Sequence, residues 1–166
     1  MIISVMDFRA ECGSLRLASV GDRLCMCDWI GSNKSHTALD RLSRRLACPV
    51  RNEESECCMR AVRMLQEYFA AGRRTFDLPL FFCGTEFQMQ VWKALQAVPY
   101  GSVESYSAVA ARIGRPEAVR AVASAIAANV ISVFVPCHRI VGSQGALTGY
   151  RGGLDAKRFL LGIESR

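Results

Sequence analysis

The stretch SYSAVAARIGRPEAVRAVASAIAAN, Ser105 to Asn129, decides the fold that we predict for the second half of the chain. Apolar residues recur at helical spacing on both sides of a Gly-Arg-Pro segment, and this pattern predicts two short helices. Ser105 is placed to cap the first helix, Gly114 ends it, and Pro116 suits the first turn of the second helix. Two helices with such a tight connection are typical of a helix-turn-helix.

One face of the second predicted helix carries small side chains. Ala121, Ser124, Ala125 and Ala128 lie on it, and Arg120 is the one long side chain among them. A small face allows close approach to another surface. That surface is either a neighbouring helix or a nucleic-acid groove into which Arg120 projects, and the pattern alone leaves both interpretations open.

A thiol follows this region at the end of an apolar run. Residues 130–135 are mostly β-branched and predict a buried strand that ends at Pro136 and leads into Cys137, His138 and Arg139. A cysteine is nucleophilic only as thiolate, so it needs a base or positive surroundings, and His138 and Arg139 could supply both. Because adjacent strand residues point to opposite faces, we expect His138 to act around a turn or through a water molecule.

Cys137 is a candidate nucleophile, metal ligand or core thiol. The chain has eight cysteines but lacks the C-x2-C pairs of a closed zinc site, and His36 is its one other histidine. We therefore expect no metal and interpret the other cysteines as small hydrophobic residues. A thiol protease needs a separate histidine that protonates the leaving amine, which disfavours acyl transfer. A one-step displacement, in which the transferred group stays on sulfur, suits this residue set better.

Composition narrows the class of protein. The 166 residues are 51% hydrophobic and 22% charged, as in soluble globular proteins. No apolar run approaches the roughly 20 residues that span a bilayer, and no signal peptide is recognised, so we expect a cytoplasmic protein with free thiols and no membrane partner. Twelve basic and ten acidic residues precede Gly84, against nine and five from Gly84 onward. Taken alone, this surplus in the second half is ordinary surface charge.

The first half has a mixed pattern. Residues 2–30 predict short strands, with a hairpin turn at Val20-Gly21-Asp22. Residues 35–47 and 55–71 have helical spacing, the second with Met59, Val62, Leu65 and Phe69 on one side. The extended, proline-interrupted segment 72–84 is typical of a connector. We place one domain at residues 1–80 and a second at residues 84–166.

The second half begins and ends with helices. Thr85 and Gln88 have the spacing of a capping box, and the apolar residues after them predict a helix. GYRGG, residues 149–153, predicts a glycine-rich loop, and LDAKRFLLGIE, residues 154–164, predicts the closing helix. Cys137 thus lies between a helix-turn-helix and a glycine-rich loop.

Five segments of the second half, GTEFQMQVW, VPYGSVESY, RAVASAIAAN, PCHRIVG and GYRGGLDAKRFLL, resemble the O6-alkylguanine-DNA alkyltransferases in order and spacing. The resemblance is strong over residues 84–166, weak through LQEYFAAGRRTFDLPL, and only general over residues 1–50. It implies an α+β fold with two parts. The N-terminal α/β domain would have a short antiparallel sheet of ribonuclease H-like type, and the mostly helical C-terminal domain would be winged-helix-like.

The resemblance also implies a function and its catalytic residues. The family flips O6-alkylguanine, mainly O6-methylguanine, out of duplex DNA and takes the alkyl group irreversibly onto a cysteine, here Cys137; O4-methylthymine is a second candidate substrate. By this resemblance His138 would deprotonate the thiol through a water molecule and Glu164 would orient the histidine. Tyr106 would donate a proton to guanine N3, and Asn129 would brace the turn after the small-faced helix.

Further residues are implied to contact DNA and the lesion. Arg120 would fill the gap that the flipped base leaves. The DNA contacts would be Tyr106, Ser107, Arg115, Gln88 and Ser143, and the lesion pocket would comprise Ile140, Leu147, Gly149, Tyr150, Arg151 and Gly152. Ser143 would also border that pocket. Some relatives carry serine in place of Arg151, which leaves the preferred alkyl size open, and Val130 stands where the family often has proline. The expected partner is duplex DNA that carries the lesion, bound by a monomer without a cofactor.

Two other functions are compatible with parts of the pattern. The first is a non-catalytic protein of the same fold that binds alkylguanine and marks it; such relatives have replaced the motif cysteine, so the presence of Cys137 favours transfer. The second is a helix-turn-helix regulator that uses Cys137 as a sensor. The small-faced helix offers neither base-reading polar side chains nor a dimerisation element, which disfavours a regulator.

Overall fold

The computed structural model describes residues 1–31 and 34–166, without the side chains of residues 34–36, so the side chain of His36 lies outside the described part. In that part the chain forms an α+β fold of six α-helices and six short or medium strands. It divides into two compact units, Met1–Cys83 and Gly84–Arg166.

The N-terminal unit is built on a four-stranded sheet. Its strands are β1 (Ile3–Ala10), β2 (Gly13–Val20), β3 (Arg23–Trp29) and β4 (Val50–Arg51), in the order β3-β2-β1-β4. The first three are antiparallel, and Gly21 at φ 60° makes the predicted hairpin turn. However, β4 pairs with β1 in parallel, so the sheet is mixed rather than antiparallel. The helix α1 (Lys34–Leu46) carries the chain from β3 to β4, and such a crossover permits parallel pairing.

The second helix of this unit, α2 (Glu56–Phe69), packs against the sheet. The Ser55 side chain caps it by accepting from the Cys58 amide. The predicted apolar face was wrong: Leu65 is buried, whereas Met59, Val62 and Phe69 are only half-buried. The buried positions are Cys57, Cys58, Ala61, Met64, Leu65 and Tyr68. The helix turns Cys57 and Cys58 towards the sheet. Met59 and Val62 therefore lie at the edge of the helix–sheet contact, where they are half-buried.

The seven cysteines other than Cys137 are free thiols, and five of them are buried. Burial raises the pKa of Cys25 to about 12, and that of Cys57 to about 11. These two thiols are therefore protonated at neutral pH, and the five buried cysteines pack as small side chains in the core, as expected from the sequence. Among the described residues no group of three histidine, cysteine or acidic side chains is arranged to hold a metal ion.

The C-terminal unit is mostly helical. It contains α3 (Glu86–Leu95), α4 (Tyr106–Arg112), α5 (Val119–Ala127) and α6 (Leu154–Glu164), and a parallel pair of β5 (Glu104–Ser105) and β6 (Ile140–Val141). The capping box of Thr85 and Gln88 is confirmed, as is the Ser105 cap, which accepts from the Ala108 amide at 3.1 Å. The closing helix has the predicted bounds.

The connection between α4 and α5 differs from the prediction in one detail. Gly114 ends α4 with φ 78°, as expected. Pro116 does not lie in the first turn of α5, because residues 115–118 form a separate turn in which the Ala118 amide donates to the Arg115 carbonyl. The helix-turn-helix is therefore longer in its turn than the sequence suggested.

Trp92 connects α3 to α5 in the core of this unit. Its side chain is 4% exposed and its Nε1 donates to the Ala125 carbonyl at 2.8 Å. Trp92 therefore holds α5 against α3 in two ways, by a hydrogen bond to the backbone of α5 and by side-chain packing. No helix in the described ranges combines the length and apolar character that a membrane crossing requires.

We expect Trp92→Phe to loosen α5, because it removes one of the two hydrogen bonds to the Ala125 carbonyl, which keeps only the Ala128 amide at 3.2 Å, and replaces a buried indole by a smaller ring. The loss should be about 1–2 kcal/mol, or roughly a 5- to 30-fold rise in hydrogen exchange of α3 and α5 amides. Hydrogen exchange monitored by mass spectrometry measures this rise. Lys93→Gln, on the exposed side of α3, is the control and should change nothing; equal exchange in both variants would refute the role of Trp92.

Candidate active site

The segment that the sequence predicted as a buried strand is a tight turn. Ile131, Val133, Phe134 and Val135 are all buried, but the Val135 amide donates to the Ile131 carbonyl at 3.0 Å and Val133 has φ 71°. The strand prediction was therefore wrong. The side chains of this β-branched run are buried, as in a strand. Its backbone polar groups, however, are paired locally instead of with a neighbouring strand.

Asn129 supplies that local pairing. Its side-chain oxygen accepts from the Ile131 amide at 3.0 Å, and its Nδ2 lies 3.4 Å from the carbonyls of Ile131 and Val135. The same Nδ2 lies 3.4 Å from the Cys137 sulfur, where it can donate. Asn129 thus holds the turn and also touches the thiol. A donor aimed at sulfur favours the thiolate over the thiol.

A short 3-10 turn, Cys137–Arg139, contains the three chemically active side chains. Cys137 is 4%, His138 0% and Arg139 6% exposed. Successive residues of a 3-10 turn project about 120° apart, since it has three residues per turn. Cys137 and His138 therefore point in different directions, as expected from the sequence, although the cause is a turn instead of a strand.

His138 is oriented by Glu164, the last residue of α6. Its Nε2 lies 2.7 Å from Glu164 Oε2. Because the carboxylate accepts, Nε2 is the protonated nitrogen and Nδ1 carries the lone pair. Nδ1 is buried and has no hydrogen-bond partner among the described residues. Burial lowers the pKa of His138 despite the opposing effect of Glu164, so the imidazole is neutral and Nδ1 can accept a proton.

Lys157 is a functional candidate that the sequence reasoning missed. It is 1% exposed, and its Nζ donates to the Ile140 carbonyl at 2.5 Å and to the Thr148 carbonyl at 3.3 Å. Burial raises the pKa of Cys137, and the Asn129 contact and the charge of Lys157 oppose that rise. A sequence signal existed: Lys157 and Glu164 are seven residues apart, and so share one face of the closing helix.

Tyr106 is the first residue of α4 and reaches the loop beyond the thiol. Its hydroxyl is hydrogen-bonded to the Thr148 hydroxyl at 2.8 Å. Thr148 falls within the stretch Leu147 to Gly152 that the resemblance implies for the lesion pocket, but no separate role was predicted for it, because nothing in a loop sequence distinguishes one hydroxyl from another. The residues predicted for the lesion pocket differ in burial: Ile140 is fully buried, Leu147, Tyr150, Arg151 and Gly152 are half-buried, and Gly149 is exposed.

The residues predicted to contact DNA are separated into two groups. Arg120, Ser107, Arg115 and Ser143 are exposed, as are Ala121 and Ser124 of the small face. By contrast, the Gln88 side chain accepts from the Thr85 amide at 2.9 Å and is used as a helix cap. Ala125 is buried against α3. One edge of the small face of α5 therefore packs on a neighbouring helix, and the other edge faces outward, where a second surface could approach it.

Together these features define a class: proteins with a buried, base-assisted thiol beside a helix-turn-helix. A family model described as 6-O-methylguanine DNA methyltransferase, DNA binding domain, matches residues 86–166. The constitutive methylated-DNA--protein-cysteine methyltransferase of Bacillus subtilis is 50% identical over 114 residues, 68% of this chain and 69% of the relative. The methylated-DNA--protein-cysteine methyltransferase of Methanosarcina barkeri is 44% identical over 81% of this chain and 87% of its own.

Solved structures agree with these relatives. The crystal structure of Mycobacterium tuberculosis OGT in complex with DNA superposes with a TM-score of 0.82 at 36% identity, over 99% of this chain and 93% of that chain. The chain belongs to the methylated-DNA--protein-cysteine methyltransferase family, and the resemblance found in its sequence is confirmed.

We expect Lys157→Met to make Cys137 harder to ionise, because the charge that stabilises the thiolate is lost. The pH of half-maximal alkylation of Cys137 by iodoacetamide should move upward by about one unit, or ~1.4 kcal/mol. Peptide mass spectrometry after labelling separates Cys137 from the other thiols. Arg158→Met, an exposed change on the same helix, is the control. Identical profiles for Lys157→Met and the unaltered protein would show that Lys157 has no electrostatic role.

Proposed function

We propose that this protein flips O6-alkylguanine out of duplex DNA and transfers the alkyl group irreversibly to its own Cys137. O6-methylguanine is the main substrate, and O4-methylthymine is a second candidate. The observation that carries the proposal is the buried group of Cys137, His138 and Glu164, in which the thiol lies beside a neutral imidazole whose Nδ1 has no protein partner among the described residues.

The transfer needs no cofactor for its atoms and electrons to balance. His138 Nδ1 takes the thiol proton through a bridging water molecule, and Glu164 stabilises the imidazolium that forms. The sulfur then attacks the alkyl carbon in line with its bond to O6. The carbon–sulfur bond forms as the carbon–oxygen bond breaks, and the electron pair remains on the base. The product is S-alkylcysteine, a thioether that no group of this site can hydrolyse.

Departure of the base requires a proton donor. Tyr106 supplies a proton to guanine N3, so that the base leaves neutral, and regains one as His138 returns to its resting form. In the free protein the Tyr106 hydroxyl is hydrogen-bonded to Thr148, so lesion binding exchanges one partner for another. Such an exchange keeps the buried hydroxyl satisfied in both states.

The DNA-contacting face is α5 with its flanking turns. Arg120, near the start of α5, is exposed and inserts where the flipped base was. Ala121 and Ser124 are exposed and small, which suits close approach to a minor groove about 6 Å wide. Ser107 and Arg115 contact phosphates, and Ser143 contacts the lesion strand. Binding is then sequence-tolerant and falls with added salt.

The proposal also covers the fold of each unit and the state in which the protein acts. The N-terminal unit is ribonuclease H-like, supported by an antiparallel three-strand meander that β4 joins in parallel. The C-terminal unit is a winged-helix-like DNA-binding and alkyl-acceptor domain at residues 84–166, supported by the α4–α5 pair and by β5 and β6. The protein acts as a monomer on lesion-containing duplex DNA, in the nucleoid if the cell is prokaryotic.

A non-catalytic lesion binder of the same fold is the alternative function. It would need the pocket and α5 but not an ionisable thiol with a base behind it. Cys137 and His138 are both present, and Asn129 donates to the sulfur. A lesion binder gives no reason to retain this arrangement, so transfer is favoured.

The test of the proposed function is the mass of the intact protein after incubation with duplex DNA that contains O6-methylguanine. We expect a gain of one methyl group, located on Cys137 by peptide mapping, once per molecule. Cys137→Ser, which keeps the size of the side chain, should bind the lesion and gain nothing. Tight lesion binding by the unaltered protein without a mass gain would establish the silent binder instead.

Arg120→Ala should slow transfer from duplex DNA by roughly tenfold or more, because the flipped-out state loses an interaction that offsets unstacking. Transfer from free O6-methylguanine base, which needs no flipping, should be unchanged. Single-turnover rates on both substrates measure the difference. Arg158→Ala removes an exposed arginine of the same unit and is the matched control. A parallel loss on both substrates in Arg120→Ala would disprove the role in flipping.

A further inference from the structure

The carboxylate of Glu164 is shared by two basic side chains. Arg139 Nε donates to Oε1 at 2.7 Å and Arg139 Nη2 donates to Oε2 at 3.1 Å. His138 Nε2 donates to the same Oε2 at 2.7 Å. The guanidinium therefore engages both oxygens, whereas the imidazole engages one. A two-oxygen contact of this kind is the strongest pairing that an arginine makes with a carboxylate.

Arg139 is itself held in place. It is 6% exposed, its Nη1 donates to the Val98 carbonyl at 2.7 Å, and its guanidinium carbon lies 5.7 Å from the centre of the Tyr100 ring. The sequence offered Arg139 only as a positive charge near the thiol, not as a partner of Glu164. Because it is buried and fixed on three sides, its charge is not screened by solvent as a surface arginine's charge is.

The charges around His138 favour a neutral ring. Glu164 on α6 is negative, but Arg139 cancels it at hydrogen-bond distance. Lys157, also on α6, adds a second positive charge, and Cys137 on the same turn is a protonated thiol at rest. A buried imidazolium would therefore face a net positive surrounding. Consistent with this, the pKa of His138 is lowered mainly by burial, with Arg139 and Lys157 acting in the same direction.

We propose that Arg139 is a positioning residue for alkyl transfer: it cancels the charge of Glu164, so that the carboxylate orients His138 without protonating it at rest. This inference rests on the proposed function, because it concerns the base that activates Cys137. Glu164 then has two separable roles. Its hydrogen bond sets the tautomer, and its partnership with Arg139 keeps Nδ1 available as a base at neutral pH.

Removal of Arg139 should change the pH dependence of alkyl transfer to Cys137, and not only the rate of transfer at one pH. An unpaired, buried Glu164 carboxylate would stabilise the imidazolium, which raises the pKa of His138. The imidazolium has no lone pair on Nδ1 and cannot take the thiol proton. The rate should then be lost below the raised pKa and recover above it, so the acid limb of the profile moves to higher pH.

Single-turnover transfer from an O6-methylguanine duplex, from about pH 5.5 to about pH 9, tests this inference because imidazoles titrate in that range. For Arg139→Met we expect the acid midpoint to rise by about one unit, with a loss that approaches about tenfold only towards the acid end of this range and vanishes at the alkaline end. Arg139→Lys keeps the positive charge and should keep the unaltered midpoint. Arg112→Met, which removes an arginine paired with Glu104, is the matched control.

The outcomes separate an electrostatic role from a structural one. A loss by the same factor at every pH in Arg139→Met, with an unchanged midpoint, would overturn the inference. A protein that transfers no methyl group in any form would refute the proposed function but not the electrostatic role of Arg139, which the next measurement tests without DNA.

NMR titration of the imidazole measures the resting charge of His138, on which the electrostatic role of Arg139 depends. It also covers the case in which Arg139→Met does not fold. The chain has two histidines, so a His36→Gln background leaves the His138 signal alone. With Arg139 present, His138 should be neutral at pH 7 and remain so below the ordinary histidine pKa of about 6.5. A protonated His138 at pH 7 in this background would overturn the inference, whatever the variants do.

Discussion

The shared carboxylate of Glu164 is the interaction on which the rest of the candidate site depends. It joins the end of α6 to the 3-10 turn through His138 and Arg139, and Arg139 extends the connection to the Val98 carbonyl. The closing helix, the turn that holds Cys137 and the segment after α3 therefore meet at one side chain. A change in any of the three partners leaves a buried charge or a buried donor unpaired, which costs more than the pair contributes when intact.

This arrangement is a costly way to build a core. Arg139, Lys157 and Glu164 are nearly inaccessible to solvent, and an apolar set of the same volume would be as stable or more so. The cost is lowered because the charged groups are hydrogen-bonded, Lys157 to two loop carbonyls and Arg139 to Glu164 and Val98. Among the polar side-chain atoms of His138, Arg139, Lys157 and Glu164, the one without a partner in the described part of the molecule is His138 Nδ1, where a base is needed.

The sequence predicted those features that local rules govern. The capping box at Thr85, the Ser105 cap and the bounds of α6 depend on residues close in the chain, and they were right. The strand before Cys137 was wrong because its backbone is paired by the Asn129 side chain, a contact that hydrophobic periodicity does not contain. The parallel pairing of β4 and the buried face of α2 depend on tertiary packing. Lys157 was overlooked, and Arg139 was considered only as a charge near the thiol, because long cationic side chains are usually exposed and only the structure shows these two buried.

The thiols themselves show what distinguishes Cys137. Burial raises the pKa of Cys137 as it does that of Cys25 and Cys57, so burial does not distinguish the acceptor from these two thiols. What sets it apart is its surroundings: a donor from Asn129, the charge of Lys157 and a neutral imidazole held by Glu164. A thiol that is protonated at rest reacts slowly with stray electrophiles, since only the thiolate is nucleophilic. For a protein that is consumed by one reaction, activation by a base at the moment of transfer preserves the molecule for its lesion, and this requires His138 to be uncharged beforehand. The pairing of Arg139 with Glu164 provides that condition.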